Sequence, residues 1–253
     1  MKGAPIDWTY MRIGIISDVH GNLEALNACV EALHQANVSR LVCLGDIVGY
    51  GAQPNECCDV VRTVCDTSVL GNHDAMLCGL LSIDSCHDAA QAAIRYASGQ
   101  LTVENIEWLK TLQYREDEDE TTFCHGSPLD AEQFDYVFTL RAGAELNETY
   151  DALSKVSFVG HSHLTVAYLV TSRMVLQLSA PHFQLHDGVK YVFNCGSVGQ
   201  PRDRDHRACC VIYDDQKHTV TYLRVAYDIH SASAKIMTAG LPSIFAERLF
   251  SGT

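Results

Sequence analysis

Short apolar runs that stop at glycines and polar clusters punctuate the first two thirds of this chain. Residues 11–17, Met-Arg-Ile-Gly-Ile-Ile-Ser, read as a buried strand ending in Asp18-Val19-His20-Gly21-Asn22. Leu23, Leu26, Val30 and Leu33 then recur at helical spacing across residues 23–35. Residues 40–44 form a second apolar run, delivering Gly45-Asp46-Ile47-Val48-Gly49-Tyr50-Gly51, and Pro54 opens a helix because proline is tolerated in a first turn. A third run, Ser68-Val69-Leu70, ends in Gly71-Asn72-His73-Asp74. This β-α-β-α-β order predicts parallel strands joined by right-handed crossovers.

Residues 75–113 are rich in Ala and Leu and predict helix, with Trp108, Leu109 and Leu112 as packing residues. The acidic run Glu116-Asp117-Glu118-Asp119-Glu120 predicts a solvated loop. A strand over residues 121–124 delivers His125-Gly126-Ser127-Pro128, residues 130–155 read as loop plus helix, and a strand over 156–159 delivers Gly160-His161-Ser162-His163. Beyond that point the pattern changes to short strands, at 164–171, 174–178, 191–194, 208–213 and 219–226, with turns such as Asp187-Gly188. They predict an antiparallel half forming another sheet, and residues 236–250 predict a closing helix interrupted near Gly240-Leu241-Pro242. The expected fold is α/β (α+β), a four-layer α-β-β-α sandwich of two mixed sheets flanked by helices, in a single domain over residues 1–253.

At 253 residues and 47% hydrophobic, the chain can bury the core such a sandwich needs. No apolar run approaches the roughly 18–20 residues that span a bilayer. Residues 1–8 lack the apolar centre of a signal peptide, so the expected location is cytoplasmic, with no membrane partner. Eleven scattered cysteines without a CxxC motif read as reduced, mostly core thiols. The net charge of −13 argues against nucleic acid as a partner, which would need a basic surface. Bound cations, however, can make one cleft of an acidic protein locally positive.

Seven candidate ligands fall just after apolar runs: Asp18, His20, Asp46, Asn72, His125, His161 and His163. Open α/β sheets bind ligands beyond the carboxyl ends of their strands. Asp18 and His20, like His161 and His163, lie two apart, which in extended chain turns both side chains of a pair to one face. Carboxylate, amide oxygen and imidazole suit Mn, Fe, Zn or Ni.

The order Asp-x-His, Gly-Asp, Gly-Asn-His-Asp, His-Gly, Gly-His-x-His resembles the calcineurin-like metallophosphoesterase superfamily. The later block from Asn194 to Asp203 resembles its bacterial and archaeal phosphodiesterase-like branch, typified by YfcE-type enzymes. The resemblance implies two metal ions, manganese foremost. One is held by Asp18, His20, Asp46 and His163, the other by Asp46, Asn72, His125 and His161, with Asp46 bridging and a shared hydroxide as nucleophile. Such a pair lowers the pKa of water and clamps phosphoryl oxygens during in-line displacement.

The same resemblance implies that His73 orients phosphate or protonates the leaving oxygen, with Asp74 fixing its ring. Arg202, Asn72 and Tyr50 are the candidate substrate contacts. For Arg202 and Arg207 the competing reading is an ion pair with Asp203 or Asp205, and for Tyr50 it is simple packing. Two departures stand out: Gly49-Tyr50 replaces the Asp-Arg pair of the protein-phosphatase branch, and Cys195 stands where relatives usually carry Pro. The implied function is dinuclear-metal-dependent hydrolysis of a small phosphodiester or nucleotide-type substrate. Alternatives are a broad-specificity phosphomonoesterase and a noncatalytic metal-binding scaffold. Substrate choice is expected to reside in pocket walls from residues 75–113 and 126–155.

Overall fold

The first apolar run becomes β1 (Arg12–Ile16), with Ile13, Ile15 and Ile16 buried. Met11 and the residues read for a signal peptide lie outside the residues that the computed structural model describes, 12–84 and 86–253. The Asn22 side chain accepts from the Ala25 amide and so caps α1 (Leu23–Gln35), whose buried face is Ala25, Leu26, Cys29 and Leu33. β2 (Arg40–Cys43) pairs in parallel with β1, and β3 (Thr67–Ser68) in parallel with β2; α2 (Pro54–Val64) lies between them with its proline in the first turn. β3 stops short of the expected strand, since Val69 makes only an isolated bridge to Gln113.

The stretch expected as continuous helix is three helices: α3 (Asn72–Leu77), α4 (Asp88–Gln100) and α5 (Val103–Leu109). Gly79, at φ +73°, ends the first of them. Its amide bonds the Met76 carbonyl while the Leu80 amide bonds that of Ala75, the bonding pattern of a left-handed glycine stop. The side chains of His87 and Thr102 then cap the next two. The acidic run is a loop only at Asp119-Glu120, which form a turn. Arg115–Glu118 forms β4, an edge strand paired antiparallel with β5 (Thr121–Cys124). An edge leaves carboxylates in water, and charge there discourages pairing with another chain.

After α6 (Leu140–Glu148) come β6 (Val156–Val159), β7 (Thr165–Val170), β8 (Val175–Leu178), β9 (His182–Gln184) and β10 (Lys190–Cys195). They are followed by β11 (Ala208–Asp214), β12 (Thr219–Val225), α7 (Ile229–Thr238) and α8 (Ser243–Ser251). The later strands do not build a sheet of their own. One six-stranded sheet runs β3-β2-β1-β11-β12-β9 and the other β4-β5-β6-β10-β7-β8. β11 lies antiparallel on β1, and β10 is parallel to β6 and antiparallel to β7. The parallel units left β1 and β6 with open edges, and the later strands satisfy those backbone groups. Both sheets are therefore mixed.

Ile13, Ile15, Val42 and Leu44 of the first sheet meet Phe123, Phe158, Tyr191 and Phe193 of the second in one core. Each fully buried side chain of this kind contributes roughly 1.5–3 kcal/mol relative to exposure. α1, α2 and α5 cover the outer face of the first sheet, and α6 packs with the outer face of the second, giving the four-layer α-β-β-α sandwich. α4, α7 and α8 gather in a further cluster that includes Tyr50 and Phe245, which brings the end of the chain beside the strand-end loops. Among the described residues no helix is long and apolar enough to cross a membrane. All eleven cysteines are free, and eight are buried.

Candidate metal centre

Beyond the strand ends the backbone turns left-handed at Asp18 (φ +53°), His20 (+48°), Asp46 (+51°), His161 (+67°) and His163 (+59°). Such angles are uncommon without glycine, though Asp and His tolerate them better than most residues. Backbone bonds hold them: the Asp18 amide donates to the Gly45 carbonyl at 3.0 Å and the His20 amide to that of Asp46 at 2.9 Å. The His and Asp pairs therefore do not lie in extended chain, contrary to the spacing argument. They converge because paired left-handed turns, rather than pleat alternation, aim both side chains at one point. Gly71 is required by close approach, since a side chain there would strike the Asp46 amide and carboxylate.

His20, His125 and His163 each place Nδ1 on a backbone carbonyl, those of Val48 (3.1 Å), Leu44 (2.7 Å) and Gln200 (2.6 Å). A carbonyl only accepts, so each Nδ1 donates, and each ring, when neutral, presents a bare Nε2. These lone pairs face other acceptors. The Nε2 atoms of His20 and His163 are 3.0 Å apart, His163 Nε2 is 3.2 Å from Asp18 Oδ1, and His125 Nε2 is 3.1 Å from Asn72 Oδ1 and 3.3 Å from Asp46 Oδ2. Asp18 Oδ2 accepts from Ser17 Oγ and the His161 amide, but the buried Oδ1 has no hydrogen-bond partner. Asp46 Oδ1 accepts from the His73 amide at 2.8 Å, leaving Oδ2 turned to the histidines.

All seven predicted ligands thus come together: Asp18, His20 and His163 form one group, Asp46, His125 and His161 another with Asn72 on His125, and a third group of His20, Asp46 and His73 lies between them. A buried set of carboxylate, amide and imidazole groups whose acceptor atoms face one another fits divalent cations of the hard-to-borderline kind. The electrostatics agree. Burial would raise Asp18 and Asp46, yet His163 beside the first and His125 beside the second hold both carboxyls well below their usual range. Burial works to lower His125, but Asp46 and Asp18 raise it to about 9, so a cation entering there displaces a proton at neutral pH. Burial, aided by His125, takes His161 down to about 3.

A cavity of about 470 Å³ opens onto this cluster, lined by Asn72, His73 and His161, among others. His73 Nε2 lies 3.1 Å from the Tyr50 hydroxyl, which accepts from Arg202 Nη2 at 3.3 Å. The Tyr50 ring packs on His20 (centroids 4.3 Å apart) and Phe245 (4.6 Å), so it both lines the cavity and packs. Arg202 does not pair with Asp203 or Asp205; its guanidinium lies over Tyr50, with a buried Nε that has no partner. Arg207 instead pairs with Asp205 at 2.6 Å.

Asp74 does not orient the His73 ring. Its carboxylate accepts from the amides of Ile47 (3.0 Å), Val48 (3.1 Å) and Gly71 (3.1 Å), tying down the turn that carries Asp46. Burial, and then the charge of Asp46, push it up to about 7 against those donors.

Sequence reasoning missed Tyr136, stacked flat on His161 with centroids 3.7 Å apart, and Arg248 of α8, which also lines the cavity. Tyr136 sits in no motif, and Arg248 lies in the expected closing helix with nothing in the sequence to mark it for the cavity. Ser17 and Gln200, which support Asp18 and His163, were findable as immediate neighbours of recognised blocks.

The profile of the calcineurin-like phosphoesterase superfamily domain matches residues 11–217. An uncharacterized protein of Methanocaldococcus jannaschii is 36% identical over 244 residues, covering 95% of this chain and 98% of that protein. A crystal structure of a metallophosphoesterase from Sphaerobacter thermophilus superposes with a TM-score of 0.82 at 35% identity, covering 97% of this chain and 100% of that one. A hypothetical protein from Pyrococcus horikoshii shares the fold, with a TM-score of 0.77 at 19% identity over 96% of this chain and 98% of its own.

Proposed function

We propose that this chain, which belongs to the calcineurin-like phosphoesterase superfamily, hydrolyses small phosphodiester or nucleotide-type substrates with two divalent metal ions. The observation that carries the reading is the convergence of seven buried acceptor side chains, three of them imidazoles locked to present Nε2. Asp18, His20, Asp46 and His163 would hold one ion and Asp46, Asn72, His125 and His161 the other, with manganese foremost and iron, zinc or nickel compatible with the same donors. When bound, such a pair supplies Lewis acidity toward phosphoryl oxygens and lowers the pKa of water.

The remaining roles fall to this chain's own groups. Arg202 reaches the cavity from a different segment than the arginine of the protein-phosphatase branch, and its guanidinium suits phosphate oxygens. Tyr50 spans Arg202 and His73, so phosphate binding and the imidazole that faces the leaving oxygen are linked through one hydroxyl. His73 is a cavity-lining residue held by Tyr50 at Nε2, in place to move a proton there. That imidazole also favours a second reading, phosphomonoester hydrolysis, where an unactivated leaving oxygen needs a proton. The eleven free thiols support a cytoplasmic location.

The test is incubation of the purified protein with Mn²⁺ and bis-p-nitrophenyl phosphate, and in parallel with p-nitrophenyl phosphate. Turnover that EDTA abolishes is expected, faster on the diester. Absence of EDTA-sensitive turnover on both would overturn the reading.

A further inference from the structure

None of the described residues lining the cavity carries a carboxylate, although the chain has thirty-one acidic residues. Two guanidinium groups do line it, those of Arg202 and Arg248. Arg248 lies one turn beyond Phe245, whose ring packs on Tyr50, so both arginines belong to the Tyr50 side of the metal-ligand cluster. Arg248 is half-buried and has no side-chain hydrogen bond or ion pair among the described residues. A scissile phosphodiester brings a single negative charge. Arg202 already matches it, so a second unpaired guanidinium fits a second anionic group.

The other side of the cluster is aromatic. Tyr136 lies nearly parallel to His161 (14° between planes), with Phe138 edge-on to it at 5.5 Å. One face of the ring is thus covered, yet the residue remains 50% exposed. A ring already fixed in place has little left to lose on binding, and stacking of a base on such a ring is worth roughly 1–3 kcal/mol. A planar, aromatic, phosphate-bearing ligand satisfies both sides at once.

We propose that the cavity takes a nucleotide bearing a second phosphoryl group, with Tyr136 stacking the base and Arg248 holding the non-scissile phosphate. The proposal rests on the phosphoesterase reading and specifies its substrate class. Both residues are at least partly exposed, so substitution leaves the core intact; because Tyr136 stacks on His161, unchanged orthophosphate affinity in Tyr136→Ala reports that the ligand cluster is undisturbed.

Calorimetric titration of the full chain, with Mn²⁺ in constant excess, measures affinity for orthophosphate, imidodiphosphate and α,β-methylene-ADP without relying on turnover. Wild type is expected to bind α,β-methylene-ADP most tightly. Arg248→Gln should weaken imidodiphosphate and α,β-methylene-ADP roughly tenfold while leaving orthophosphate unchanged. Tyr136→Ala should weaken only α,β-methylene-ADP, by roughly tenfold, and Tyr136→Phe should restore it. Wild-type affinities in both variants, or equal losses for all three ligands, would overturn the proposal. Wild-type turnover of bis-p-nitrophenyl phosphate, measured on the same preparation, reports separately on the hydrolase reading.

Discussion

The Nε2 atoms of His20 and His163 face each other at 3.0 Å, each ring having given its Nδ1 hydrogen to a backbone carbonyl. Two lone pairs so placed repel unless a cation lies between them and Asp18. Manganese should therefore stabilise the fold by mass action, about 2.7 kcal/mol at a hundred times its dissociation constant. For a chain of this size that corresponds to a rise in Tm of roughly 5–10 °C. Differential scanning calorimetry with Mn²⁺ and with EDTA checks it, and His163→Ala should shrink the shift.

His73 contributes its amide, rather than its ring, to Asp46, and its Nε2 goes to Tyr50. His73→Ala should keep metal occupancy and lower kcat by about 10²–10⁴-fold, the usual loss on removing a positioned proton donor. Metal analysis beside steady-state kinetics makes the distinction. Loss of metal in this variant would reassign His73 as a ligand, as its proximity to His20 and Asp46 permits.

Asp74 satisfies three buried amides around the Asp46 turn. Asp74→Ala should cost about 3 kcal/mol, since each orphaned donor carries a desolvation penalty of about 1–3 kcal/mol and the turn relaxes in part. Denaturant unfolding reads this as a lowered midpoint. A loss of kcat at saturating Mn²⁺ without loss of stability would instead make Asp74 part of the chemistry.

Much of this architecture was legible because burial writes it into the chain. Ile13, Ile15, Val42 and Phe158 form apolar runs that only buried strands need, and the ligands follow those runs directly. Gly79 announced the end of α3, but the Ala and Leu content on either side of it masked the break. The strand at Arg115–Glu118 was illegible because a sheet edge tolerates charged, partly exposed side chains, so its composition matches a loop. The left-handed angles at Asp18 and His161 leave no trace in composition, so convergence was anticipated from the wrong backbone geometry. Likewise β11 reached β1, and Arg248 reached the cavity, through contacts far apart in sequence that no local pattern records.

The central claim is that these seven side chains hold two cations bridged by Asp46, and manganese stoichiometry tests it most directly. After equilibration with excess Mn²⁺ and removal of free metal, elemental analysis should find two manganese per chain in wild type. Asp46→Asn should fall below one, with phosphoesterase turnover lost. One manganese or fewer in wild type, or an undiminished two in Asp46→Asn, would contradict the account.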